Sequence, residues 1–127
     1  MATIELTAEN FDGVTNGDGL VLADFWAGWC GPCRMFGPVF EQASERHADA
    51  VFGKVNTETE AALAGALGIS SIPTLMVIRD GVVLYARPGA LPETALEQLI
   101  ARARELDMDQ VRASVAEHAG AARAASS

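Results

Sequence analysis

The sequence predicts a single α/β domain of about five strands and about four helices, spanning residues 1–106 and followed by an extension over residues 107–127. Three observations carry this. Strand-like and helix-like apolar periods alternate along the chain, residues 20–27 form an almost unbroken apolar run, and Arg79-Asp80-Gly81 separates two short β-rich segments like a hairpin turn. With 127 residues, half of them apolar, one core can bury roughly two thirds of the surface exposed in the unfolded chain, so neither disulfide staples nor a structural metal is required.

Each element has its own signal. Thr3-Ile4-Glu5-Leu6 alternates as a first strand, and Thr7 with Asn10 and Phe11 reads as a capped helix start. Asn16-Gly17-Asp18-Gly19 breaks the chain before the apolar run, which fits a strand covered on both faces and contains one acid, Asp24. Met35, Phe36, Val39, Phe40 and Ala43 recur at helical spacing, in a helix that ends near Ala48-Asp49 and that Pro38 is expected to kink. Residues 51–55 read as a buried strand. Thr57 and Glu60 read as a capping box opening an Ala/Leu helix that stops near Gly68. Residues 74–78 and 82–85 are the hairpin strands. Leu96, Leu99, Ile100 and Ala103 mark a helix from about Pro92. In the extension, Met108, Val111, Val115, Ala119 and Ala122 form a weak stripe behind an Asp107–Gln110 cap, which predicts a marginal helix fraying into a disordered end.

Composition limits the function classes. Seventeen acidic against nine basic residues give a net charge of −8, which repels a phosphate backbone or an anionic lipid surface, so no nucleic acid and no membrane is expected as a partner. Glu5 and Glu9 stand where a secretion signal would be basic and then apolar, and no apolar stretch approaches the ~20 residues of a membrane span. A cytoplasmic monomer is the expectation.

The chemistry lies in Cys30-Gly31-Pro32-Cys33, which holds both cysteines of the chain at a strand-to-helix junction. Residues three apart in a helical turn are ~5 Å apart, within the range a disulfide spans, so the pair can close and open with little backbone movement. So short a loop restrains the unfolded chain weakly, which makes the bridge a poor stabiliser and a plausible catalyst. At the helix N-cap, free N–H groups and the positive dipole end favour a thiolate, which points to Cys30 as nucleophile and Cys33, one turn inside, as its partner. A zinc site would need about four ligands, and His47 and His118 lie outside any ligand spacing; both read as surface residues.

The segment Asp24-Phe25-Trp26-Ala27-Gly28-Trp29-Cys30-Gly31-Pro32-Cys33 resembles the active-site segment of the thioredoxin family. Ile72-Pro73-Thr74 and Gly89-Ala90 resemble its other two signature loops, and the likeness runs in order from about residue 2 to Leu106. It implies the thioredoxin fold, a central mixed sheet flanked by helices, and a general protein-disulfide reductase with no cofactor of its own, supplied with electrons by a thioredoxin reductase. Gly31 and Pro32 would set the redox potential, and Asp24 would relay the proton of Cys33. Burial fits that role by disfavouring the charged carboxylate, although backbone donors could instead satisfy it. Lys54 matches a family lysine near that acid, or is simply solvated at a strand end. Pro73 matches a cis-proline, with a trans proline opening an edge strand as the alternative. Trp29, Ile72, Pro73, Gly89 and Ala90 would form with Gly31 and Pro32 an apolar docking surface, while Trp26 is expected in the core and Arg34 beside the thiolate. Gly28 and Pro88 depart from the family pattern, which bears on partner choice. Two other functions fit the residues: an oxidant or isomerase of exported proteins, and a scaffold whose dithiol is incidental.

Overall fold

The structure, a computed structural model, describes the backbone of residues 2–126 and the side chains of residues 2–117. Its elements are β1 (Thr3–Glu5), α1 (Phe11–Thr15), β2 (Leu20–Trp26), α2 (Gly31–Arg46), β3 (Val51–Asn56), α3 (Ala61–Ala66), β4 (Thr74–Arg79), β5 (Val82–Pro88), α4 (Glu93–Glu105) and α5 (Met108–Ser126). The five strands form one sheet in the order β1-β3-β2-β4-β5. β3 runs parallel to both β1 and β2, whereas β4 is antiparallel to β2 and β5, so the sheet is mixed.

Alternation along the strands decides which helix packs where. Leu20 and Leu22 point to one face with Phe52, Leu75 and Val77, where Phe36 and Phe40 of α2 and Leu96 and Ile100 of α4 cover them. Val21, Ala23 and Phe25 point to the other, under Phe11 of α1 and Leu63 of α3. β2 is therefore wrapped on both faces, as its apolar run predicts. On the α1 side, Gly53 leaves room for Leu6, whose side chain occupies the place a Cβ would take. The hairpin turn has φ of 52° at Asp80 and 79° at Gly81, the paired left-handed geometry of a type I′ turn. Asp80 also accepts a 2.7 Å hydrogen bond from Gly19 N through Oδ1, tying the turn to the start of β2.

Two expected helix caps do not form. Thr57 and Glu60 do not form a capping box: Thr57 Oγ1 donates to Trp26 O at 3.0 Å, Glu60 Oε1 accepts from Ala8 N at 2.7 Å, and α3 starts only at Ala61. Asn10 turns back to accept from Thr7 N, so α1 opens at Phe11 with no side-chain cap. β5 runs on to Pro88, which an edge strand tolerates because its missing N–H faces no partner strand. α2 continues through Pro38 to Arg46. Among the described residues four helices, α1 to α4, flank the sheet as expected, and the extension forms a fifth, α5. Asp107 Oδ1 accepts from the N–H groups of Asp109 and Gln110, at 3.0 and 3.4 Å, and Met108 is buried. Ala119, Ala122 and His118 lie outside the residues with described side chains.

Candidate active site

β2 and α2 are joined by four residues, and the dithiol closes the first turn of α2. Cys30 is the N-cap in an extended conformation and Pro32 sits in the first turn, where its lacking N–H costs nothing. Cys30 and Cys33 are joined by a disulfide across a Cα separation of 5.2 Å. The N–H of Cys33 points at Cys30 Sγ, 3.2 Å away, so a donor of the helix N-terminus is aimed at the sulfur that would carry a thiolate's charge. The same sulfur lies 3.8 Å from the carbonyl oxygen of Ile72, a partner for its S–H once the bridge opens to the thiol.

Both cysteines are nearly enclosed, Cys30 at 3% and Cys33 at 5% exposure, so residue exposure does not separate their roles. Their surroundings do. Cys30 lines a groove of about 490 Å³ with Trp29, Gly31, Pro32, Ile69 and Ile72, joined by the hydroxyls of Thr57, Ser70 and Ser71. Cys33 lines a separate cavity of about 370 Å³ with Trp26, Gly28, Arg34, Gly37 and Lys54. Trp29, 69% exposed beside Cys30, is the bulkiest apolar side chain lining the groove.

Of the other expected docking residues, Pro73 follows a cis peptide bond, and is buried rather than in the groove lining. Its carbonyl accepts a 2.8 Å hydrogen bond from Gly89 N. That bond, with φ of 119° at Gly89, holds the exposed Gly89-Ala90 loop against the Ile72-Pro73 segment. Gly89 and Ala90 therefore join the site through Pro73 and not as part of the groove lining.

Asp24 follows Leu22 on the α2 face of β2 and is 1% exposed. Neither carboxyl oxygen has a hydrogen-bond partner among the described residues, so backbone donors do not satisfy it. Burial raises its pKa from 3.8 to about 7; Lys54 opposes the rise and Glu41 adds to it. A carboxyl group that titrates near neutrality can accept and return a proton under ordinary conditions. Lys54 is the register neighbour of Asp24 on β3, half-buried, with its ammonium 3.6 Å from Glu41 Oε1 and 5.1 Å from the centroid of the Trp26 ring.

Several side chains depart from expectation. Trp26 is half-buried and lines the cavity behind the dithiol, since Lys54 needs an apolar wall for its stem and a ring face for its charge. Arg34 is not directed at the sulfurs: its Nη2 donates to Gly28 O at 2.9 Å. His47 is no free surface residue, for its Nε2 pairs with Glu97 at 2.7 Å and its ring stacks on Phe52. Two acids escaped the sequence reading. Glu41 pairs with Lys54 from α2, and Glu58 accepts from Gly28 N at 3.3 Å, bracing the loop before Cys30. A helical wheel could have put Glu41 one turn beyond Gly37 on the sheet side, but nothing local marks Glu58.

Comparison with known proteins agrees with this geometry. Residues 2–102 match the family model described as Thioredoxin. The chain is 60% identical over 116 residues to a putative thioredoxin 2 of Streptomyces coelicolor, an alignment that covers 91% of this chain and 87% of that protein. It is 41% identical over 101 residues to the thioredoxin of Bacillus subtilis, covering 79% and 96%. Among solved structures, a mutant thioredoxin from Halobacterium salinarum superposes with a TM-score of 0.76 at 38% identity, covering 83% of this chain and 93% of that one. With its paired cysteines at the head of α2, the chain belongs to the thioredoxin family and is a thiol–disulfide oxidoreductase working through Cys30-Gly31-Pro32-Cys33.

Proposed function

We propose that the chain is a cytoplasmic reductant of protein disulfides in which the two cysteines have fixed and different tasks. Cys30 thiolate attacks one sulfur of a substrate disulfide, forming a Cys30–substrate bond and expelling the other substrate sulfur as a thiolate, which takes a proton from water. Cys33 then gives its proton to Asp24 and attacks Cys30 Sγ. The mixed bond breaks, the second substrate thiolate leaves, and the protein is left with the Cys30–Cys33 disulfide. Substrate gains two electrons and the dithiol loses two; a thioredoxin reductase, with NADPH and flavin, would return them.

The observation that carries this reading is the division of surroundings at the bridge: Cys30 opens to an apolar groove flanked by Trp29 and Ile72, while Cys33 opens to a cavity lined by Lys54. An extended substrate segment can lie along Ile72, with Gly31 and Pro32 shaping the dithiol and its potential, and with Pro73, Gly89 and Ala90 holding the rim. The partners in this reading are disulfide-containing proteins met by a monomer, and the acidic net charge disfavours nucleic acid in their place.

The test is a redox titration of the dithiol followed through Trp26 and Trp29 fluorescence. A midpoint close to the value of about −270 mV known for thioredoxin supports a reductant. A midpoint at about −180 mV or above would overturn it in favour of oxidation or isomerisation, a difference of ~4 kcal/mol for two electrons.

A further inference from the structure

Behind the dithiol one lysine serves several carboxylates. The sheet register sets Lys54 of β3 opposite Asp24 on β2 and opposite Glu5 on β1. α2 adds Glu41, whose Oε1 is 3.6 Å from Lys54 Nζ. Glu41 is held in turn from β1, where Thr3 Oγ1 donates 3.0 Å to the same oxygen. Its Oε2 is buried with no hydrogen-bond partner among the described residues, as are both oxygens of Asp24. The buried Asp24 carboxyl and the half-buried Glu41 carboxyl, with three buried oxygens unpartnered between them among the described residues, thus flank one ammonium, which also lines the cavity that Cys33 lines. A cation pulled toward one carboxylate is partly neutralised there and has less potential to exert on the other.

We propose that Glu41 is a positioning residue for the exchange reaction: its ion pair holds the Lys54 ammonium toward α2 and thereby sets how readily Asp24 takes and releases a proton. This rests on the reading in which Asp24 receives the proton of Cys33. The sign follows from charge. With Glu41 ionised, Lys54 is compensated and Asp24 keeps its proton to higher pH; without it, the full ammonium favours the Asp24 carboxylate. The other charged groups nearby are Glu5, across from Lys54 on β1, and Arg34, committed to the Gly28 carbonyl. β4 places only Leu75 opposite Asp24, and Cys33 titrates only when reduced.

The experiment follows the Asp24 side-chain carboxyl carbon by NMR from about pH 4 to about pH 10 in the oxidised full chain, where neither cysteine titrates. Wild type is compared with Glu41→Gln, which keeps the acceptor for Thr3, with Lys54→Met, and with the double variant, each checked by thermal melting. Glu41→Gln should lower the Asp24 midpoint by about half a pH unit or more, and Lys54→Met should raise it. The effect of Glu41→Gln should at least halve when Lys54 is absent, and Glu41→Asp should move the midpoint back toward wild type. An unchanged midpoint in Glu41→Gln, or an equal effect with and without Lys54, would overturn the proposal. The pH profile of the second exchange step in the reduced protein should move with the midpoint. A midpoint that shifts while the profile stays would overturn the Asp24 relay and leave the control of Asp24 by Glu41 standing.

Discussion

The two cavities on either side of the disulfide are as unlike as two pockets around one bond can be. The front groove, at Cys30, has no ionisable side chain apart from that cysteine; its walls are Trp29, Pro32, Ile69 and Ile72, with three hydroxyls. The rear cavity, at Cys33, is lined by Arg34 and Lys54, and behind Lys54 lie Glu41 and the buried Asp24. The contrast separates two demands that a single site would mix. A partner protein needs a neutral apolar surface on which to desolvate, whereas a thiol that must lose its proton needs a base and charges to tune it. One disulfide can serve both because a single helical turn points its two sulfurs into different environments.

The sharpest way to break the comparison is to remove one sulfur at a time. Cys30→Ser should abolish reaction with protein disulfides, since the front groove then holds no nucleophile. Cys33→Ser should leave the first attack intact and stop turnover, so that mixed disulfides through Cys30 accumulate on non-reducing gels and in intact-mass spectra. Equal trapping by both variants would mean that front and rear are interchangeable.

Next in size is Asp24. Asp24→Asn should slow the second step by about 10²-fold or more at neutral pH, the usual scale for loss of a positioned base, with the first step little changed in stopped-flow traces. The same variant should be more stable. The folded-state pKa of about 7 exceeds the unfolded value near 3.8, so the folded protein binds more protons between those limits and loses stability as pH rises through them. The penalty is absent below about pH 4 and complete above about pH 7, at most about 4 kcal/mol. Denaturant unfolding of the oxidised proteins at about pH 5 and about pH 8 should show the Asn variant gaining more at the higher pH.

A front-side substitution should behave in the opposite manner. Trp29→Ala removes the exposed ring from the groove, and should raise KM for protein disulfides by about tenfold, the order of one lost aromatic anchor, while leaving the Asp24 titration where it was. Steady-state kinetics on a protein and on a small disulfide separate docking from chemistry: the small substrate should react almost as in wild type.

How much of this was legible in the sequence follows the same division. The dithiol and Asp24 could be read because each is an anomaly in its own segment: two cysteines at a helix start, and an acid inside a run of apolar residues. Pairing across elements could not. Lys54 read equally well as solvated until β3 set it opposite Asp24, and Glu41 is one of two acids on α2 until Thr3 and Lys54 fix it. The Thr57–Glu60 capping box failed for a related reason, since partners at Trp26 and Ala8 outcompeted the local bonds. The cis bond before Pro73 followed from family likeness, because base rates for X-Pro bonds favour trans.

The smallest effect should come from the extension: among the described residues, none of α5 lines the front groove or the rear one. What it contributes is packing. Met108 is buried, and Arg112 reaches Asp80 of the hairpin turn at 3.6 Å, but that pair is half-exposed and worth little. Ending the chain after Leu106 should therefore remove about one buried side chain's worth of stability, ~1–2 kcal/mol, and lower Tm by a few degrees. Protein-disulfide reduction should stay within about twofold of the full chain, because neither the groove proposed to seat the partner nor the charges proposed to serve Cys33 draw on the described residues of α5. A larger loss of activity, with Tm changed as expected, would show that the helix meets the partner outside the groove. The front surface would then extend beyond Trp29 and Ile72, while the rear cavity would be unaffected.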